Sequence, residues 1–275
     1  MDVAKLVKDD IINWTRQWFA VNGKDCNAVI GISGGKDSSI SAALLVEALG
    51  KDRVIGVQMP CGEQSDINYS DEIIKLLGIK SCKINIKDAV SSVTDEIMSC
   101  GVLPNPNIPS NQTMTNLPAR IRMATLYAIS QSVNGRVCNT CNRSEDFVGY
   151  CTMYGDNCGD FALLKDLLVC EVKEIGYALG LPKKFIEKTP SDGLCGKTDE
   201  DNLGFKYSDI DKILSGVSDM QDLAVMMKIQ EAHDKNEFKE NLYIDHYEIP
   251  DGIDILLNPL IEYSLIPTGK PVGLW

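Results

Sequence analysis

Ser33-Gly34-Gly35-Lys36-Asp37-Ser38-Ser39 is the stretch whose reading decides the fold. It follows an apolar run, Ala28-Val29-Ile30-Gly31-Ile32, that predicts a buried strand, and it leads into Ile40 to Leu49, which has the composition of a helix. A strand, a tight glycine turn and a helix N-terminus place unpaired backbone N–H groups and the positive end of a helix dipole at one point, which is an anion site. Adjacent glycines let the backbone approach the anion without a Cβ in the way. The spacing is not the G-x-x-x-x-G-K-[ST] of a Walker A loop. An aspartate beside a phosphate nest is unfavourable without a cation between them, so Asp37 implies bound Mg²⁺, a hard ion with oxygen ligands and phosphate partners.

Outward from this turn, short strands alternate with helices. Arg53 to Pro60 predicts a second strand, Asp66 to Leu77 a helix closed by Gly78, and Lys83 to Ile86 a third strand. Asp88 begins a further helix, Leu117 to Ser132 another, and Arg136 to Cys141 a fourth strand. A fifth strand is expected near Phe161 to Leu164. The expected fold is therefore α/β, a doubly wound parallel five-stranded sheet with helical terminal additions, in one domain over 1–275 whose core spans about 27–190. Ligands in such sheets bind at the carboxyl ends of the strands, where Ser33 to Ser39 falls. Gly101 to Asn116, rich in proline and asparagine, reads as a candidate lid, and Lys188 to Gly204 as a second candidate mobile loop. Residues Val3 to Ala20 predict an amphipathic helix in which Trp14 and Trp18 pack in the core while Phe19, near its end, reaches a ligand.

Composition bounds the function. The chain has 275 residues with 44% hydrophobic content, enough for a large core. It shows no apolar run long enough to span a bilayer and no signal-peptide layout at Met1-Asp2-Val3, so the expectation is a cytoplasmic protein without a membrane partner. A net charge of −12 argues against nucleic acid as a partner. Ten cysteines without an export signal read as free thiols, and only two histidines, His233 and His246, argue against Ser-His-Asp chemistry or a His-rich metal centre.

The glycine turn resembles the pyrophosphatase loop of the ATP pyrophosphatases, which split ATP between the α and β phosphates. Within that group the chain is most similar to the NAD synthetases, over about Phe19 to Lys239. The blocks that carry the resemblance are Gly31 to Ser39, Ala119-Arg120-Ile121-Arg122-Met123, Thr140-Cys141-Asn142-Arg143-Ser144-Glu145, Tyr154-Gly155-Asp156 and Lys197-Thr198-Asp199-Glu200-Asp201-Asn202-Leu203-Gly204. Each is weak alone; in this order they reinforce one another. The resemblance implies a Rossmann-like ligase that amidates deamido-NAD (nicotinate adenine dinucleotide) to NAD with ATP, Mg²⁺ and ammonia through an acyl adenylate. It also implies a homodimer. With no glutaminase recognisable in the chain, ammonia would come from solution or a separate partner.

Residue roles follow from the same resemblance. Gly31, Ile32, Ser33, Gly34, Gly35, Lys36, Asp37, Ser38, Ser39, Met59, Thr140 and Ser191 are expected at ATP, with Asp37 and Glu145 as the Mg²⁺ carboxylates. Phe19, Arg120, Tyr127, Tyr150, Asp156, Asp160 and Lys239 are expected at the dinucleotide. Arg122 reads as part of a polar helix face, and Asp199 and Glu200 as solvated. The chain departs from the family at Met153 and Val169, where lysines are usual, and at Lys36, where glutamine is more usual; Lys36 is a candidate replacement for a lost cation. Cys138-x-x-Cys141 keeps a tRNA thiolase open, although positions three apart on a strand face opposite ways and two small buried thiols account for them. A different ATP-pyrophosphatase ligase and a nucleotide binder without turnover also stay open.

Overall fold

The strand before the glycine turn is β1, Asn27–Gly31, whose Ala28, Val29 and Ile30 are fully buried. Covered on both faces, it carries a continuous apolar run rather than an alternation. The computed structural model describes residues 2–104, 107–188, 198–216, 222–239 and 245–250. In chain order the elements are α1 (Val3–Asn22), β1, α2 (Lys36–Leu49), β2 (Val54–Gln58), α3 (Ile67–Leu77), β3 (Lys80–Lys83), α4 (Lys87–Ser99), α5 (Asn111–Ser132), β4 (Gly135–Asn139) and α6 (Arg143–Phe147). After these come β5 (Phe161–Ala162), α7 (Val169–Ala178), α8 (Lys183–Ile186), α9 (Asp199–Leu203), α10 (Tyr207–Leu214), α11 (Leu223–Asn236) and β6 (Asp245–His246).

All strand pairs are parallel, in the order β3-β2-β1-β4-β5-β6. The five expected strands are all present, and β6 extends the sheet by two residues beyond β5. Strand order reverses between β1 and β4, which opens a crevice at their carboxyl ends. The chain leaves β1 into the glycine turn on one side of that crevice. It leaves β4 into Thr140 and α6 on the other.

One core cluster gathers α1, α2, α7 and one face of the sheet around Ile30, Ile40, Leu44, Phe161 and Ile175. Each fully buried aliphatic side chain here contributes about 1.5–3 kcal/mol. A second cluster, built on Val169, Phe205, Tyr207, Ile210 and Ile229, fastens α10 and α11 beside α6 and α7. Among the described residues no helix is long and apolar enough to cross a membrane.

Several expected boundaries shift, each for a local reason. The third strand is Lys80–Lys83 rather than Lys83 to Ile86. It is an edge strand exposed along most of its length and lacks an apolar alternation, whereas the apolar Ile84 and Ile86 just beyond it imitate one. Their N–H groups still donate to the carbonyls of Gln58 (2.8 Å) and Pro60 (2.9 Å). The candidate lid is shorter than expected, because α5 starts at Asn111. Ser110 caps it by accepting from Thr113 N–H (3.1 Å), and Pro118 lies inside the helix, so proline does not mark a boundary. Part of the second candidate loop is helical: Thr198 caps α9 in a reciprocal capping box with Asp201. Residues 189–197, with Ser191 among them, and those after 250 lie outside the described residues.

Candidate active site at the sheet switch point

A cavity of about 540 Å³ lies at the switch point. At one end it is lined by Gly31, Ile32, Ser33, Gly35, Lys36, Asp37 and Ser38. The turn closes because Gly34 takes φ +78° and because it has no Cβ; one added there would come within 2.6 Å of Ser70 N and 2.7 Å of Tyr69 Cβ. The turn is therefore pressed directly onto α3. The Ser33 and Ser38 hydroxyls lie 3.1 Å apart, and Gly35 caps α2 without a side-chain bond, leaving N–H groups at the helix N-terminus for an anion. Ser39 differs from expectation: it is fully buried, its hydroxyl has no partner among the described residues, and it is not part of the cavity wall.

Asp37 and Glu145 meet across the crevice. Asn142 aligns both, donating from Nδ2 to Asp37 Oδ1 (3.1 Å) and capping α6 in a reciprocal box with Glu145. The Lys36 ammonium lies 2.7 Å from Asp37 Oδ2 and 3.8 Å from Glu145 Oε1. Desolvation and the Asp37 charge push the Glu145 carboxyl up to about 8, against the opposing pull of Lys36. Burial works against the Lys36 ammonium, but Asp37 and Glu145 outweigh it and hold its pKa above the ordinary lysine value. The phenol of Tyr207, buried and without a hydrogen-bond partner among the described residues, is raised by burial and by Glu145, Asp199 and Asp37 around it. Two carboxylates aimed at one cation, beside an anion-binding turn, fit a hexacoordinate Mg²⁺, which needs only one or two carboxylates when phosphates supply the rest. The described residues hold no cluster of three or more His, Cys, Asp or Glu suited to a metal.

Met59 and Thr140 line the cavity near the strand ends. The other end is assembled from distant segments. From α5 it takes Thr115, Asn116, Ala119, Arg122, Met123 and Leu126, one helical face. Arg122 Nε donates to the Met59 carbonyl (3.1 Å) and its charge acts on Asp156. Arg120 points elsewhere: it is exposed, donates to the Met153 carbonyl (3.2 Å) and is not in the cavity wall, whereas Arg122, read from the sequence as part of a polar helix face, is. The spacing of α5's cavity residues was the available signal.

Asp156 faces the cavity and accepts from Thr152 N–H (2.6 Å); desolvation there holds its carboxyl above the ordinary aspartate range. Tyr150 also lines the wall, with its hydroxyl 3.4 Å from Asp199 Oδ1, so Asp199 is a cavity residue rather than a solvated one. Lys239 reaches the wall from the turn after α11 and donates to the carbonyls of Gly149 (2.8 Å) and Cys151 (3.2 Å). These two bonds brace the segment between Glu145 and Asp156.

Phe19, Tyr127 and Asp160 also lie away from the cavity wall. Phe19 is 1% exposed and packs edge-on against Phe161, with Arg53 over its ring, so it is a core residue and not ligand-facing. Tyr127 is bonded to Asp160, and burial with that carboxylate raises its phenol. Asp160 Oδ2 accepts from Val137 N–H (2.7 Å), which ties the loop back to β4. Trp14 and Trp18 stack at 6.5 Å against the core, as expected. Cys138 and Cys141 are buried thiols raised by desolvation. Val169 is packed into the second core cluster.

Comparison with known proteins follows the same outline. A family model described as NAD synthase matches residues 7–243. An NH(3)-dependent NAD(+) synthetase of Pyrococcus furiosus is 36% identical over 221 residues, 80% of this chain and 80% of that protein. Among solved structures, NMN synthetase from Francisella tularensis superposes with a TM-score of 0.77 at 30% identity, covering 88% of this chain and 97% of that one. NH3-dependent NAD synthetase from Campylobacter jejuni superposes with a TM-score of 0.70, over 88% and 97% of the two chains; at 23% identity this likeness speaks to the fold.

Proposed function

The chain belongs to the NAD synthase family, and we propose that its cavity amidates the nicotinate carboxylate of deamido-NAD with ATP and ammonia. In the first step a carboxylate oxygen attacks the α-phosphorus of ATP and pyrophosphate leaves. In the second, ammonia attacks the acyl carbonyl and AMP leaves with that oxygen. The observation that carries this reading is the meeting of Asp37 and Glu145 beside the glycine turn, at the switch point of a parallel sheet.

The chain's part in this is positioning and charge. The turn N–H groups and the Ser33 and Ser38 hydroxyls would hold the departing phosphates. Asp37 and Glu145 would hold Mg²⁺, which supplies charge neutralisation on the phosphate oxygens. Arg122, Asp156, Tyr150 and Lys239 would orient the acceptor, so that the carboxylate meets the α-phosphorus in line. Among the described residues no histidine lines the cavity, and neither step needs a protein nucleophile. We place the protein in the cytoplasm, with ammonia taken from solution or a separate partner. A homodimer is further supported by the exposed apolar side chains Val93, Met98, Val102, Ile108 and Met114 on and between α4 and α5. Residues 1–275 are read as one domain.

A second acceptor has a specific observation behind it. The higher TM-score belongs to a protein titled NMN synthetase. The test is to supply deamido-NAD and nicotinate mononucleotide separately, with ATP, Mg²⁺ and ammonium, and to follow amide and pyrophosphate together. Amide and pyrophosphate in step with deamido-NAD support the proposal, and turnover restricted to the mononucleotide moves it to the second acceptor. ATP binding without either product would sink both.

A further inference from the structure

The two carboxylates proposed to receive a divalent cation already share one. The Lys36 side chain is 1% exposed, with its ammonium 2.7 Å from Asp37 Oδ2 and 3.8 Å from Glu145 Oε1. The Tyr207 ring also lies over it, 5.8 Å from centroid to Nζ. An ammonium so placed balances charge that would otherwise repel across the crevice. Asp37 is held there by Asn142, and Glu145 by its capping role on α6, so neither carboxylate is free to turn away. The same geometry sets a condition on a second cation. Even with both carboxylates ionised, a bare divalent ion would bring the local charge to three positive against two negative in a partly desolvated site, where repulsion is weakly screened. A divalent ion that arrives on a polyphosphate brings its own anions, and then both cations have partners.

We propose that Lys36 is a built-in counter-ion that keeps the carboxylate pair assembled in the free protein and makes divalent-metal binding conditional on nucleotide. This rests on the functional reading of Asp37 and Glu145 as the metal carboxylates. It assigns to Lys36 a positioning role on them, in addition to any contact with phosphate. The reverse arrangement, a preloaded metal waiting for ATP, is disfavoured by the same charges.

The probe is Mn²⁺, followed by electron paramagnetic resonance on the full chain without nucleotide and with α,β-methylene-ATP, in which the scissile bond cannot break. Without nucleotide, Lys36→Gln and Lys36→Met are expected to bind Mn²⁺ about ten- to hundredfold more tightly than the wild type, the range by which groups that contact metal ligands tune a site. With the analogue present that gap should close. Adding Asp37→Asn to Lys36→Gln should remove the gained binding. Equal Mn²⁺ affinity of wild type and Lys36→Gln without nucleotide would overturn the proposal, as would a gain that survives Asp37→Asn.

A measurement on the wild type needs no substitution. Mg²⁺ alone should leave its thermal unfolding temperature unchanged, and Mg²⁺ with the analogue should raise it above the analogue alone; a rise with bare Mg²⁺ would contradict the account. These readouts do not depend on turnover. Failure of the amidation assay with the Mn²⁺ pattern intact would therefore remove the reaction and keep the counter-ion, and the opposite result would do the reverse.

Discussion

The two ends of the cavity are built in opposite ways. The glycine-turn end is centred on one continuous stretch, Gly31 to Ser38, and its chemistry is mostly backbone: a strand end, a residue at φ +78° and a helix N-terminus. The proposed acceptor end draws side chains from α5, the 149–158 segment, α9 and the turn after α11, and it exists only once those segments pack. Asp37 and Glu145 sit at the join, one contributed by each half of the sheet. The difference teaches that substitutions at the first end should act through local geometry and nucleotide binding. Those at the second should act through the acceptor alone, and those at the join should trade stability for function.

The join gives the largest effect. Glu145→Gln is expected to lower turnover by about 10²–10³-fold, the scale of losing one electrostatic partner of a developing charge. It is also expected to stabilise the nucleotide-free protein. The folded carboxyl sits near 8 against 4.5 for an ordinary glutamate, so between those values the folded chain keeps a proton that the unfolded chain has lost. Stability therefore falls as pH rises through that window, and the glutamine variant should flatten the fall. Unfolding midpoints at pH 5 and pH 8 for both proteins check this; a parallel pH dependence would mean that the two halves are not in electrostatic tension at the join.

Next in size is the turn itself. Gly34→Ala forces a Cβ against Ser70 N and Tyr69 at a positive φ, which costs about 1–3 kcal/mol of stability. The loss should appear in denaturant unfolding together with weaker ATP binding. Weaker acceptor binding with ATP affinity intact would break the comparison.

The smallest effects sharpen the other end. Arg122→Ala should raise the KM for the dinucleotide about tenfold or more, as expected for a lost charge-assisted hydrogen bond, with the KM for ATP little changed. Arg120→Ala, outside the wall, should change neither by more than about twofold, in line with exposed substitutions. Steady-state kinetics with each substrate varied in turn separates the two arginines.

The same contrast explains how much can be read from the sequence. Backbone-built features are legible because strand, turn and helix signals are local; Gly34, Asp37 and the parallel architecture all follow from them. The carboxylate partner Glu145 is legible through resemblance, and its capping box is visible as Asn142 three residues before Glu145. The acceptor wall is only partly legible. Arg120 and Arg122 are equivalent by composition, and their difference appears only when α5 is seen to turn the face of Ala119, Arg122 and Leu126 inward. Phe19 lies in the core, because an aromatic near a helix end suits a core as well as a ring-binding site and only packing distinguishes them; Tyr127 and Asp160 bond to each other outside the cavity wall, a pairing that no local signal marks. The edge strand β3 is displaced in the sequence reading because exposed residues carry no alternation to mark it. Tyr207 reads simply as a helix start, since nothing local indicates that its ring lies beside Lys36.

The central claim, attack of the nicotinate carboxylate on the α-phosphorus at the join of these two ends, is tested most directly by isotope transfer. Deamido-NAD labelled with ¹⁸O in the nicotinate carboxylate is turned over with ATP, Mg²⁺ and ammonium, and the products are examined by mass spectrometry. The account predicts one ¹⁸O in AMP and none in pyrophosphate, with both products lost in Asp37→Ala. AMP without label, or label in pyrophosphate, would contradict it.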